Sequence, residues 1–227
     1  MQSCPAGIAV GLKPLPESIG VDQMRKLFLH IGVSVDGYIE DENRQLDWPA
    51  DEEWTQYISE LLGSIGGQIY GRVAHQSLAQ FWPTVPAQPD AGAALVEMAK
   101  MMEASPKYVV TRHSYVTDWT NSHVIRGDVA EEIRKLKNLP GKDLALFAGA
   151  NLAQSVMEMG LFDEYRLVVN PIRLGGGTSL FRPGLPREKF ALVNSRRFAS
   201  GLLALTYAPA DREPSVHRSA PTADSGA

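Results

Sequence analysis

Residues 142–160, KDLALFAGANLAQSVMEMG, change their hydrophobic period within one short stretch, and that change limits the folds open to the chain. Residues 144–147 form an apolar run between the Pro140-Gly141 turn and Gly149, the pattern of a short buried strand. After Gly149, the apolar residues Leu152, Val156 and Met159 recur at steps of four and three, the stripe of an amphipathic helix, and Gly160 ends it. A strand, a turn of small residues and a helix make a βα unit. The first N–H groups of such a helix and the positive end of its dipole converge on one spot, which suits a phosphate or pyrophosphate. The same stretch also fits a plain βα unit of an α/β core. It does not match G-x-G-x-x-G, so spacing alone gives no Rossmann nucleotide site.

The rest of the chain repeats the alternation. Strands are expected at residues 26–35, 68–72, 107–111 and 123–126. A helix is expected to start at Pro49-Ala50-Asp51, with Asp51, Glu52 and Glu53 at the positive end of its dipole and Trp54, Ile58, Leu61 and Leu62 as its buried stripe. Further helices are expected at 73–80, 91–103 and 129–138, the last capped by Asp128. Beyond Leu161 the pattern holds strands alone, at 165–170, 191–198 and 202–208, with PIRLGGGTSLF as a long connection after the first. The implied architecture is an α/β sheet, mostly parallel, with flanking helices and an antiparallel C-terminal edge.

Composition narrows the function. A chain of 227 residues, 44% hydrophobic, can bury one substantial core. Its net charge of −4 argues against a nucleic-acid surface, which needs a basic face. One cysteine, Cys4, excludes an intrachain disulfide and fits a reducing compartment, so the expected location is the cytoplasm. No apolar run reaches membrane-span length, and no membrane partner is expected. The five histidines lack metal-ligand spacing, so no metal is expected, and His75 reads as a solvated helix position. Gly175-Gly176-Gly177 reads as a flexible connection. Residues 1–23 hold three prolines without sustained periodicity and are expected to be a disordered leader, with Met24 as the functional start. Residues 209–227 are small and polar, an expected disordered tail, which leaves 24–208 as the folded domain.

Several signatures fall in one order: MRKLFLHIGVSVDGYIED, LDW, GR with FWP behind it, KYVVTR, HVIRGDV with LKNLPGKDLALFAGANL, and GLFDEYRLVVNPIRLGGGTSLF. The series resembles the dihydrofolate-reductase-like family that includes the C-terminal reductase domain of the bifunctional riboflavin-biosynthesis deaminase-reductase. The resemblance spans residues 24–208 and implies a reductase fold that binds NADPH along the carboxyl ends of its strands. It implies a homodimer, and a small-molecule substrate that is heterocyclic or carbonyl-bearing, pterin-like or ribosylaminopyrimidine-like. It matches Gly71 and Arg72 to a helix start facing the cofactor phosphates. Thr111 and Arg112 match a loop at the adenosine 2′-phosphate. Gly149, Ala150, Asn151 and Leu152 match the turn at the pyrophosphate. On the substrate side, Trp48 matches an aromatic of the pocket and Asp51 an acid that assists protonation of C=N or C=O; Asp51 also reads as a helix-start acid.

The chain departs from the family pattern where Gly-Arg-x-Thr-aromatic-Glu becomes Gly71-Arg72-Val73-Ala74-His75-Gln76, losing a hydroxyl and a carboxylate, and where a glycine pair becomes Ala148-Gly149. Two functions are therefore expected to compete: an NADPH-dependent reductase, and a non-catalytic ligand-binding protein whose cofactor site has degraded.

Overall fold

Strand β1 (Leu27–Ser34) is apolar on both faces, and it lies inside the sheet, where helices cover a strand on both sides. The computed structural model describes residues 24–45, 51–147 and 149–210. In chain order there follow β2 (Tyr38–Glu40), α1 (Glu52–Ser64), β3 (Gly67–Gly71), α2 (Arg72–Phe81), α3 (Ala93–Ala104), β4 (Lys107–Val110), β5 (Ser122–Ile125) and α4 (Val129–Lys137). Then come β6 (Leu144–Leu146), α5 (Ala150–Glu158), β7 (Glu164–Asn170), β8 (Thr178–Ser179), β9 (Phe190–Arg197) and β10 (Leu203–Pro209). The main sheet has the order β5-β4-β3-β6-β1-β7-β10-β9. Its strands are parallel from β5 to β7, and β10 and β9 complete it antiparallel.

Alternation along β1 and β6 divides the core between the two faces of the sheet. Leu27, Leu29, Leu144 and Leu146 turn one way, onto Ile133 of α4 and Ala153 and Val156 of α5. Phe28 and Ala145 turn the other way, with Tyr70, onto Leu61 and Leu62 of α1 and Met98 and Met102 of α3. Each fully buried aliphatic side chain contributes about 1.5–3 kcal/mol. The end of α3 is held by a buried cation, because Lys107 Nζ donates to the carbonyls of Met102 (2.6 Å), Ser105 (2.8 Å) and Glu103 (3.1 Å) and sits 4.5 Å from the Trp119 ring centre. Burial pulls its ammonium down to about 8.

Helices α2 to α5 begin and end within two residues of their expected places; Asp128 caps α4 as expected, and Asp51, expected within the first turn of α1, stands just before it as a second cap. Asp51 Oδ1 accepts from Trp54 N at 2.7 Å and Asp128 Oδ1 from Glu131 N at 3.0 Å. Gly160 ends α5 with φ 62°, a left-handed conformation that favours glycine. β7 is the last parallel strand of the main sheet, paired with β1, and β10 and β9 form the expected antiparallel edge. Two features differ from the sequence expectation. The proline-rich loop after α2 winds into a 3-10 turn (Trp82–Ala87). The triglycine segment is a tethered link to β8, which pairs with β2. Asp36 accepts from Leu174 N (3.1 Å) and Gly175 N (2.8 Å), and a Cβ at Gly177 would meet Glu40 O at 2.1 Å. The expected leader, residues 211–227 of the expected tail, Trp48 and Ala148 lie outside the described residues.

Candidate functional site

Parallel strands β3, β4, β5 and β6 all end on one side of the sheet, and a cleft of about 1500 Å³ opens there beside the carboxyl half of β1. All eight residues expected at the cofactor line it: Gly71 and Arg72 after β3, Thr111 and Arg112 after β4, and Gly149, Ala150, Asn151 and Leu152 after β6. The starts of α2 and α5 lie side by side, for a Cβ at Gly71 would stand 3.9 Å from Leu152 Cδ2. Both helices have glycine at the N-cap and no side-chain cap, whereas α1 and α4 are capped by aspartates. Among the described residues, the first N–H groups of α2 and α5 therefore have neither a helical partner nor an N-cap side chain and are available to an anion.

The arginine side chains stand differently. Arg72 donates through Nη1 to Gln76 Oε1 at 3.2 Å, so an uncharged amide steadies the guanidinium without cancelling its charge. The loop at Thr111 is fixed by its own hydroxyl, which accepts from His113 N at 3.1 Å and leaves Arg112 exposed at the cleft wall. Ala74 borders the cleft where a family hydroxyl was expected. Asp51 carries the α1 cap described above, one turn ahead of Trp54, which lines the cleft. Among the described residues, no three His, Cys, Asp or Glu side chains gather as a metal site.

Next to the helix starts, the cleft runs into an aromatic compartment that sequence reasoning missed. His30, on β1, is 8% exposed; its ring centre lies 6.4 Å from that of Trp54, 5.8 Å from Tyr57 and 5.5 Å from Phe147. Phe147 stacks in turn on Tyr70 at 5.9 Å. Among the described residues, His30 Nε2 is buried with no hydrogen-bond partner. Burial, reinforced by the positive charge of Arg166, lowers the imidazole to about 3, so it is neutral. The one sequence signal was a histidine amid the apolar run of β1.

His75 corrects an expectation, for it is fully buried rather than solvated. Its Nδ1 lies 2.9 Å from Tyr115 Oη and its Nε2 3.0 Å from Ser122 Oγ, and burial beside Lys107 holds it down to about 4. It fastens α2 to the segment around β5 beneath the cleft.

Comparison with known proteins gives one consistent result. The sequence pattern of the RibD C-terminal domain matches residues 25–204. The chain is 32% identical over 185 residues to the uncharacterized protein YyaP of Bacillus subtilis strain 168, covering 82% of this chain and 95% of that one. It is 25% identical over 182 residues to the uncharacterized protein YwjB of the same organism, covering 78% and 95%. Among solved structures, a protein named for riboflavin biosynthesis from Shewanella sp. PV-4 superposes with a TM-score of 0.62 at 22% identity, over 81% of this chain and 98% of that one. A deaminase/5-amino-6-(5-phosphoribosylamino)uracil reductase from Thermotoga maritima gives 0.57 at 13%, over 82% of this chain and 57% of that longer one. Dihydrofolate reductase from Enterococcus faecalis, complexed with NADP(H), gives 0.53 at 12%, over 82% and 97%. The fold is that of the dihydrofolate reductases.

Proposed function

This chain belongs to the RibD C-terminal domain family, and on that premise we propose that it is an NADPH-dependent reductase of a small heterocyclic or carbonyl substrate, pterin-like or ribosylaminopyrimidine-like. The observation that carries the reading is the convergence of three separate strand ends, with Arg72, Arg112 and the uncapped starts of α2 and α5, on one cleft. Its volume of about 1500 Å³ exceeds the roughly 300–1,000 Å³ usual for one small ligand, which suits a dinucleotide and a second molecule together.

The residues fit NADPH. The N–H groups opening α5 would hold the pyrophosphate, with Arg72 beside it. Arg112 would meet the 2′-phosphate that distinguishes NADPH from NADH, and its planar fork can take two phosphate oxygens at once. When bound, the nicotinamide supplies hydride to the substrate. The protein's own part is to orient, exclude water and deliver a proton, with Asp51 as the proposed acid and Trp48 as a proposed wall of the substrate pocket. We further propose a cytoplasmic homodimer. The surface that suits the dimer is β9, a terminal strand with Leu192 and Val193 more than half exposed.

Titration with NADPH and NADH, followed by an oxidation screen against pterins and aminopyrimidines, tests the reading. NADPH is expected to bind at least about tenfold more tightly than NADH. Substrate binding without any NADPH binding would replace the reductase with the non-catalytic ligand-binding protein.

A further inference from the structure

Arg112 stands on the most weakly supported segment of the cleft. Among the described residues, positions 112–118 make no backbone–backbone hydrogen bond, and all of them except Tyr115 and Thr117 are exposed. The Thr111 hydroxyl turns the chain at one end of this loop. Trp119 anchors the other end, buried and donating through Nε1 to Glu103 Oε2 at 2.8 Å. Between those points, one side-chain hydrogen bond among the described residues reaches another element, where Tyr115 Oη lies 2.9 Å from His75 Nδ1. A binding group carried on a loop is only as precise as the contacts that hold the loop.

His75 is placed to hold it. The residue is fully buried one turn after Arg72 on α2, and its ring centre lies 6.0 Å from that of Tyr70, 5.1 Å from Trp119 and 5.7 Å from Tyr115. A neutral imidazole has one donor and one acceptor nitrogen, and both are used here, since Nε2 lies 3.0 Å from Ser122 Oγ. Ser122 belongs to β5, which is already fixed by its pairing with β4, so that bond sets the ring and the Tyr115 bond carries the loop. Arg72 and His75 share one helix, and Arg112 and Tyr115 share one short loop. Among the described residues, the contact of His75 with Tyr115 is the one hydrogen bond that joins α2 to this loop, and it closes the path from one arginine to the other. We propose that His75 is a positioning residue, which through Tyr115 holds Arg112 in place relative to Arg72, so that the preference for NADPH over NADH depends on a hydrogen bond that touches neither cofactor. The assignment rests on the reductase reading above. Without the bond Arg112 keeps its charge but must be ordered as NADPH binds, a cost that falls on the 2′-phosphate contact and spares NADH.

The experiment measures NADPH and NADH dissociation constants for the full chain, for Tyr115→Phe and for Thr117→Val. Tyr115→Phe removes one hydroxyl and keeps the ring, and is expected to weaken NADPH about fivefold while NADH stays within about twofold. Thr117→Val removes a hydroxyl of the same loop that accepts from Trp119 N rather than meeting α2, and both constants are expected to stay within about twofold. Because the two groups act as one bond, His75→Leu/Tyr115→Phe is expected to weaken NADPH no further than His75→Leu does. Should His75→Leu fail to fold, the Tyr115→Phe comparison and trypsin decide. Without cofactor, trypsin is expected to cut after Arg112 about fivefold faster in Tyr115→Phe than in the parent, with cleavage after Arg126 unchanged. Equal losses for the two nucleotides in Tyr115→Phe, the same NADPH loss in Thr117→Val, or unchanged cleavage after Arg112 overturns the proposal. A parent preference for NADPH that survives Tyr115→Phe removes the proposal alone. A parent that binds both nucleotides alike removes Arg112 from the 2′-phosphate, and the proposal falls with that reading.

Discussion

His30 and His75 are neutral and buried in the folded chain, lowered to about 3 and about 4, whereas both take up a proton near pH 6.5 once unfolded. The unfolded state therefore binds more protons between those values, so stability is full above pH 6.5 and falls as the pH drops toward 4. Each residue is expected to cost about 2 kcal/mol between pH 7 and pH 5. Glu164 and Asp36, whose pKa values are lowered, add their losses only at more acid pH. Urea midpoints at the two pH values check this, and His75→Gln should remove about half of the slope; an unchanged slope would mean that His75 already protonates in the fold. Asp51 supports a second prediction, because asparagine caps a helix about as well as aspartate but cannot give up a proton. Asp51→Asn should keep the melting temperature and lower turnover at least about a hundredfold, while Asp51→Ala should also lose about 1 kcal/mol of stability. Full turnover in Asp51→Asn would reduce Asp51 to its cap. Local patterns exposed Asp128 as a cap and Asp51 as a helix-start acid, since both bond within three residues. They hid His75, whose partners Tyr115 and Ser122 lie 40 and 47 positions away.

Elements long enough to repeat a hydrophobic period were legible in the sequence, and this is why the βα units fell close to their expected places, whereas the eight residues matched to a cofactor came from the family resemblance and share one cleft. The short ones were not. β8 has two residues and pairs with β2 across roughly 140 positions, a contact that no window of sequence contains. β7 reads as a strand, but its parallel pairing with β1 depends on α5 crossing back over the sheet, so its direction is set by topology rather than composition. β9 carries the prediction that belongs to this scale. All eight of its residues are at least partly exposed, its outer edge has no neighbour among the described residues of the main sheet, and Leu192 and Val193 are 57% and 59% exposed. An open apolar edge of this kind pairs readily with another strand. If a second copy covers it, sedimentation should show a dimer for the parent chain and a monomer for Leu192→Lys/Val193→Lys, because a desolvated lysine opposes such a contact. A monomeric parent, or a dimer indifferent to both lysines, would rule out β9 as the interface.

Across the whole molecule, the cleft draws on the ends of β3, β4, β5 and β6, so a dinucleotide lying along it would tie together elements that otherwise meet chiefly through the sheet. Ligand that binds only the folded state stabilises it by about 2.7 kcal/mol at a hundredfold excess over its dissociation constant. For a domain of this size, that corresponds to a rise in melting temperature of roughly 5–10 °C. NADPH is expected to produce this shift, and NADH at the same concentration a clearly smaller one, because only NADPH carries the phosphate assigned to Arg112. Charge-assisted contacts contribute about 1.5–3 kcal/mol each, so Arg72→Ala/Arg112→Ala should bring the NADPH shift down to about the NADH level. The double variant without cofactor should melt close to the parent, since the Arg72 bond to Gln76 is an exposed contact and Arg112 is exposed on its loop. A parent protein that answers equally to both nucleotides would remove Arg112 from the 2′-phosphate. A large loss of stability in the double variant would instead make the two arginines part of the scaffold.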